Sequence, residues 1–385
     1  MNKRVILKGN LIKETNYKKI LQLIGKGEQL TKLDIAYTLK ISIPTVTTNI
    51  NELKEEGIIE EVESDIYTGG RKPKIIRLIA DSRISIGIDI TIYKVTIAFL
   101  NLQKEVILMK EIACKKGEIT DYIKIGKQLM EEGITELNID EDRILGIGIS
   151  IPGSISQTKG IIEQTNIGTK AISLERLYEM FDYTVYIENE ANLSLLAEKN
   201  NGAYRDIKNL IYIGINQGLG GGIIVNDELF TGTAGRAGEF GHMRVGGKET
   251  GKSCRVEEYA SIKNMLLHYK KKTGTTLKNF DCFIDKVNEK DEIALEILAD
   301  AIEILLMTIY NLTMVFDIKH IIVGGSVAKL IKSQEILLKQ ISGKYKEIMD
   351  KLDLEIYFSD LEQTQVHGAA LLPILDFYKI NTESE

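Results

Sequence analysis

The sequence predicts an α/β protein whose body is preceded by a small helical module. Three observations carry this. Residues 16–53 hold three short segments with apolar residues at helical spacing. Two later stretches, near 84–100 and 210–225, each hold a buried-strand run followed by a turn and a returning strand. Long helical segments follow each of those stretches, as in αβ lobes. At 385 residues the chain exceeds one ordinary core, so two or three domains are expected.

In the module, residues 16–24 place Ile20, Leu21 and Ile24 on one helical face, and Gly25 and Gly27 stop the helix. Thr31 is a suitable N-cap for a second helix that buries Leu33, Ile35, Ala36 and Leu39. A third opens at Ser42-Ile43-Pro44-Thr45, with Ser42 as cap and Pro44 in the first turn, where no intrahelical N–H is missed. Val46, Ile50 and Leu53 form its inner stripe. Ser42, Thr45, Thr47, Thr48, Asn49 and Asn51 are left to face outward as short, uncharged hydrogen-bonders suited to base edges in a major groove. Gly57-Ile58-Ile59 enters a strand pair whose return carries Arg71, Lys72 and Lys74, placed to meet backbone phosphates or to reach the minor groove. Three helices and a basic wing read as a winged helix-turn-helix over residues 1–80. An ordinary three-helix bundle with a solvated basic loop is the alternative.

The body begins with a strand at 84–90 that ends beside Asp89, a second at 95–100 and a third at 105–112. A helix at 119–132 and a buried strand at 144–151 follow, running into Pro152-Gly153. The second half repeats the scheme with a strand at 210–215, a glycine turn at Gly218–Gly222 and a strand from Ile223 to Val225. A long helix at 292–315 leads to the strand His320–Val323 and then Gly324-Gly325. Lobes at 81–190 and 191–385 are expected, with the C-terminal helix free to return to the first, and a cleft between them is where small ligands bind. In Ala237–His242 a carboxylate and an imidazole stand three residues apart among glycines. Glu239 and His242 thus suit vicinal sugar hydroxyls, each of which donates and accepts.

Composition narrows the class. No apolar run reaches the roughly 18 residues of a membrane span, and the basic N-terminus lacks a secretory apolar stretch. Cys114, Cys254 and Cys282 are odd in number and far apart, which argues for a reducing compartment and a cytoplasmic protein. Residues 1–80 hold 14 Lys+Arg against 10 Asp+Glu, whereas the rest hold 35 against 45. A basic module on an acidic body suits one phosphate-rich partner and one different ligand.

On these residues the chain resembles the ROK family (repressors, open reading frames and sugar kinases), in the actin and hexokinase (ribonuclease H-like) fold superfamily. The module resembles that of the family's repressors at Ser42–Val46 and Gly69–Pro73. The body matches at Pro152-Gly153, Glu188–Asn192, Gly218–Gly222, Ala237–His242 and Gly324-Gly325. The resemblance implies sugar contacts from Asn189, Glu190, Glu239, His242 and Glu257, and from Asn166 in the loop after Pro-Gly. It also implies a homodimer or larger assembly on an inverted-repeat operator.

Three departures separate the chain from the family's kinases. Their first strand turn reads Asp-x-Gly-Gly-Thr, glycines that let backbone N–H groups approach phosphates; here Asp89 is followed by Ile90-Thr91-Ile92-Tyr93. The base position, Asp in kinases, is Glu190, whose added methylene displaces the carboxylate. The family's cysteine zinc loop is reduced to Cys254, short of the four ligands of structural zinc. The expectation is a repressor released by a monosaccharide, leaning to xylose, with no catalytic residue, metal or cofactor. The alternative is an ATP-dependent ROK sugar kinase with a DNA-binding domain.

Overall fold

A computed structural model describes residues 3–27, 29–63, 73–156, 158–165, 167, 172–200, 203–246 and 253–380. The N-terminal module comprises helices α1 (Lys3–Ile24), α2 (Lys32–Leu39) and α3 (Ile43–Glu55) and an antiparallel pair, β1 (Ile59–Glu63) and β2 (Lys74–Leu78). The first helix begins well before residue 16. Thr31 caps α2 with a reciprocal capping box through Asp34, and Ser42 caps α3 by accepting from the Thr45 amide. Ile20, Leu21, Ile35, Val46, Ile50 and Leu53 are fully buried together. Leu33, expected in that core, is 63% exposed because the inner face of α2 is made by Ile35, Ala36 and Leu39, and position 33 points away from that face of the helix.

The first lobe contains β3 (Ile84–Thr91), β4 (Lys94–Asn101), β5 (Val106–Ala113), α4 (Ile119–Leu137), β6 (Ile144–Ile151), β7 (Gly153–Ser156), β8 (Ile161–Thr165), β9 (Ile172–Ser173), α5 (Leu174–Tyr178), β10 (Val185–Asn189) and α6 (Glu190–Asn200). Its sheet runs β10-β6-β3-β4-β5, with β10, β6 and β3 parallel. The second lobe contains β11 (Leu210–Ile215), β12 (Leu219–Val225), β13 (Glu228–Leu229), β14 (Arg244–Gly246), β15 (Ser253–Arg255), α7 (Glu257–Ala260), α8 (Ile262–Thr273), α9 (Phe280–Asn288), α10 (Glu292–Phe316), β16 (His320–Gly324), α11 (Ser326–Ser333), α12 (Glu335–Gly343), α13 (Lys346–Lys351) and β17 (Glu355–Phe358). Its sheet, β13-β12-β11-β16-β17, repeats the scheme of a parallel trio extended by two antiparallel strands.

The last helix, α14 (Thr364–Tyr378), leaves β17 and crosses to the first lobe, where it packs on β3, β6 and α6. Close approach there needs glycine. A Cβ at Gly148 would lie 1.9 Å from the Ala369 carbonyl oxygen, and one at Gly368 would lie 2.0 Å from that of Leu193. Thus α6 and α14 form a layer between the two sheets, with Ala369 meeting Leu193, Tyr212 and Ile322 on one side and Ala370 meeting Ala98 and Leu100 on the other. The far end of α14 meets the module. Lys18 Nζ donates to the Phe377 carbonyl at 2.6 Å and Gln22 Nε2 to that of Tyr378 at 2.8 Å.

Glycines 220–222 lie inside β12 rather than in a turn; the reversal itself is the Asn216–Gly218 contact. A strand alternates its faces, and here the two faces meet different walls. Cβ atoms at Gly220 and Gly222 would meet Ala191 and Asn192 of α6, while one at Gly221 would fall 2.3 Å from the Phe240 ring. The glycine run is therefore a packing requirement of this fold.

Candidate functional site

Asp89, Ser150 and Asn189 lie at the carboxyl ends of the parallel strands β3, β6 and β10, the edge of an α/β sheet where ligand crevices form. Asn189 sits at the join of β10 and α6, and its Oδ1 accepts the Asn192 amide at 2.8 Å, so its NH2 group remains for a ligand. Glu188 accepts from the Asn189 amide at 2.8 Å and from Asn192 Nδ2 at 3.1 Å, which fixes the join. Glu190 opens α6 beside Asp89. Enclosure by the cleft, then the Asp89 charge, pushes Glu190 up to about 7. Its side chain still reaches water, whose screening shortens that shift.

The second cluster comes from the other lobe. Glu239 precedes a short turn, Phe240–His242, that seats Phe240 against Gly221. The next turn of chain brings Glu257, at the start of α7, within 3.3 Å of the position a Gly241 Cβ would occupy. Glu239 is raised by burial, lowered by His242 and raised again by Glu257, so the three side chains share one space. Glu257 is further held by Arg255 Nη1 at 2.9 Å. The two clusters reach the same end of β12, since Ala191 lies over Gly220 and Gly241 over the Leu219 carbonyl. Asn189, Glu190, Glu239, His242 and Glu257 thus converge around one strand end. Asn166 lies outside the described residues.

Asp89, which the sequence marked only as the acid at the first strand turn, and Arg255, which carried no spacing signal, join this neighbourhood. Asp89 is 9% exposed, and burial pushes its carboxyl up to about 6 against the opposing pull of Ser150 and Lys94. A carboxyl raised in the folded state stabilises the fold while protonated, below its unfolded value near 4, and loses that contribution as pH climbs through 6. Asp89→Asn should therefore match the wild type in denaturant unfolding at pH 4 and exceed it by roughly 1–3 kcal/mol at pH 8. A difference that does not change with pH would refute the assignment.

On the module, Thr48 and Asn51 are exposed on α3 and Thr47 is half-buried. Asn49 corrects the outward reading of this helix: it is 2% exposed on the inner face with Val46 and Ile50, and its Nδ2 donates to the Thr45 carbonyl at 2.8 Å. Ser42 Oγ and Thr45 Oγ1 bond each other at 2.8 Å, and Thr48 Oγ1 donates to the Pro44 carbonyl at 3.1 Å. Lys74 is exposed at the start of β2, whereas Arg71 and Lys72 lie outside the described residues. Asn51→Ala should relax base preference at one position by about 1–3 kcal/mol, while Asn49→Ala should lower stability and leave preference unchanged. Binding to an operator series with single-base changes, beside unfolding curves, separates the two.

Among the described residues no three His, Cys, Asp or Glu side chains gather as a metal site requires, and no helix is long and apolar enough to cross a membrane.

Residues 16–60 match the family "Winged helix-turn-helix DNA-binding". The chain is 27% identical over 375 residues to the xylose repressor of Caldicellulosiruptor bescii, covering 92% of this chain and 94% of that protein. A crystal structure of a ROK family transcriptional regulator, a homolog of the E. coli MLC protein, superposes with a TM-score of 0.78 at 19% identity over 96% of this chain and 97% of that one. The ROK hexokinase of Thermus thermophilus shares the fold of the body, with a TM-score of 0.66 at 20% identity, covering 76% of this chain and 99% of that one. Residues 85–373, most of the sequence, match the ROK family itself, and the chain belongs to that family.

Proposed function

We propose that this chain is a transcriptional repressor that holds operator DNA through its winged module and lets go when its cleft binds a monosaccharide, xylose in the first instance. The observation that carries this reading is the placement of α14. One end lies on α6, whose first residue is Glu190, and the other receives Lys18 and Gln22 of α1. A sugar held by Asn189, Glu190, Asn166, Glu239, His242 and Glu257 would bridge both lobes and favour their closure. Closure would move α6 against α14 and so shift the module, beside the direct link through residues 80–85. The division of labour is a DNA-binding domain over 1–80, a first lobe over 81–190 and a second over 191–385, with α6 and the returning C-terminal helix α14 packed on the first lobe.

The chain acts as a homodimer on an inverted repeat in the cytoplasm, since one winged module reaches one half-site. Two recognition helices must sit about 34–36 Å apart, or a multiple of it, to enter successive grooves, so a few ångströms of closure matter. Linkage sets the limit: the sugar weakens DNA binding only by its own preference for the closed state. Arg71, Lys72 and Lys74 anchor the wing on phosphates, and the absence of a cofactor follows from binding without chemistry.

One feature supports binding without phosphoryl transfer. The β3–β4 reversal, where the family's kinases carry glycines, is a closed hairpin in which Thr91 Oγ1 donates to the Lys94 carbonyl at 3.0 Å. Tyr122 Oη donates to the Ile92 carbonyl at 2.5 Å, and Tyr93 projects, 69% exposed. The test is a pair of assays. Xylose should raise thermal stability, by about 2.7 kcal/mol at 100 times its dissociation constant, while a coupled ATP assay shows no turnover. Turnover in the kinase range of roughly 1–100 per second would make this an enzyme.

A further inference from the structure

We propose that Ile43 reads the C5-methyl group of a thymine in the operator's major groove. The proposal rests on the operator-binding reading above. The apolar residues of α3 divide sharply. Val46, Ile50 and Leu53 are fully buried, whereas Ile43 is 48% exposed at the first helical position. Nothing in the module's core accounts for an isoleucine there. The helix tip is also rigid. Ser42 Oγ accepts the Thr45 amide at 3.3 Å, and Pro44 fixes the backbone that follows. A side chain at the start of a helix leans toward and past the N-terminus, which is the end a recognition helix presents to base edges.

The polar groups at this tip are already engaged. Ser42 and Thr45 hydroxyls bond one another, the Thr48 hydroxyl bonds the Pro44 carbonyl, and Asn49 is turned inward. The single cation on α3, Lys54, is paired with Glu61 at 3.0 Å in the last turn, far from the tip. No arginine or lysine lies on the first turns of α3 itself for the bidentate grip on guanine, the nearest in sequence being Lys40 at the C-cap of α2. What the first turn offers a base is hydrocarbon. In the major groove the base feature that hydrocarbon distinguishes is the thymine methyl. Hydrogen-bonding readout then falls to the third turn, where Asn51 is exposed.

The full-length protein is used to select half-sites from a randomised duplex library. Each thymine of the selected site is then replaced in turn by deoxyuridine, which deletes the methyl alone. At one position the replacement should weaken wild-type binding about fourfold, the worth of one buried methyl group, and should leave Ile43→Ala unaffected. Ile43→Ala should unfold with the wild type, since the side chain is exposed; should it not, Ile43→Val carries the same cycle with a smaller penalty. An equal deoxyuridine penalty in wild type and variant at every thymine would overturn the proposal, as would selected half-sites lacking a constant thymine. A library that yields no sequence preference at all would instead remove the operator-binding reading on which it stands.

Discussion

Glu239→Ala and His242→Ala should each yield a protein that holds operator DNA as tightly as the wild type and no longer releases it when xylose is added. Glu239, His242 and Glu257 share one space, held by the seat of Phe240 on Gly221 and by the close pass of Gly241 over the Leu219 carbonyl. Neither variant touches that seat. The carboxylate accepts from sugar hydroxyls and the imidazole can do either, so each loss strands a hydroxyl in the closed cleft. Such a loss costs about 1–3 kcal/mol, or roughly five- to 150-fold in sugar affinity. Because release is limited by the sugar's preference for the closed state, the response weakens by the same factor. Burial already disfavours the Glu239 charge, so its removal costs the fold little. DNA-binding titrations of wild type and both variants, with and without xylose, decide the matter. Loss of DNA binding by both variants in the absence of sugar would mean that the loop is a structural support, and the induction scheme would fall.

Gly148→Ala, a change of one methyl group far from either ligand, should destabilise the protein by about 3 kcal/mol or more, at the upper end of overpacking costs. The added carbon would sit 1.9 Å from the Ala369 carbonyl oxygen and 2.6 Å from its carbon, both backbone atoms of α14 that cannot rotate away. The helix must lift off the sheet, and with it the contacts of Phe377 and Tyr378 to Lys18 and Gln22. Stability and operator affinity should therefore fall together. Gly343→Ala is the control, because a Cβ there meets nothing within 4 Å, and a glycine-to-alanine change at such a site is neutral or mildly stabilising. Denaturant unfolding of both variants gives the comparison. If Gly148→Ala stays within 1 kcal/mol of the wild type, α14 is not clamped to the sheet as described.

Periodicity and caps made the recognition module legible, because Val46, Ile50 and Leu53 mark a stripe that only a helix aligns, and Ser42 with Pro44 marks where it begins. The body's strands were equally plain as continuous isoleucine-rich runs. Boundaries were less so: α1 reaches back to Lys3. Its early residues carry no apolar stripe strong enough to announce a helix. Asn49 shows the limit of the method within a single helix. Its polarity argued for the groove, yet its place one turn from Leu53 put it on the inner face, where its Nδ2 donates to the Thr45 carbonyl and its Oδ1 is buried without a partner among the described residues.

By itself the sequence determined the fold class, a winged module ahead of an αβ body, and it marked polar residues whose chemistry suits the proposed sugar contacts, since these follow from side-chain chemistry and local spacing. Only the tertiary structure decided why Gly220, Gly221 and Gly222 stand together, what Asp89 faces, and where α14 goes. Those depend on atoms brought together from distant parts of the chain: Phe240 and Asn192 against β12, Glu190 beside Asp89, and Ala369 over Gly148. No local pattern encodes a contact between residues more than 200 positions apart, such as Gly148 and Ala369. Packing of α6 and α14 between the two sheets fixes it, because buried backbone can approach that closely only where a side chain is missing.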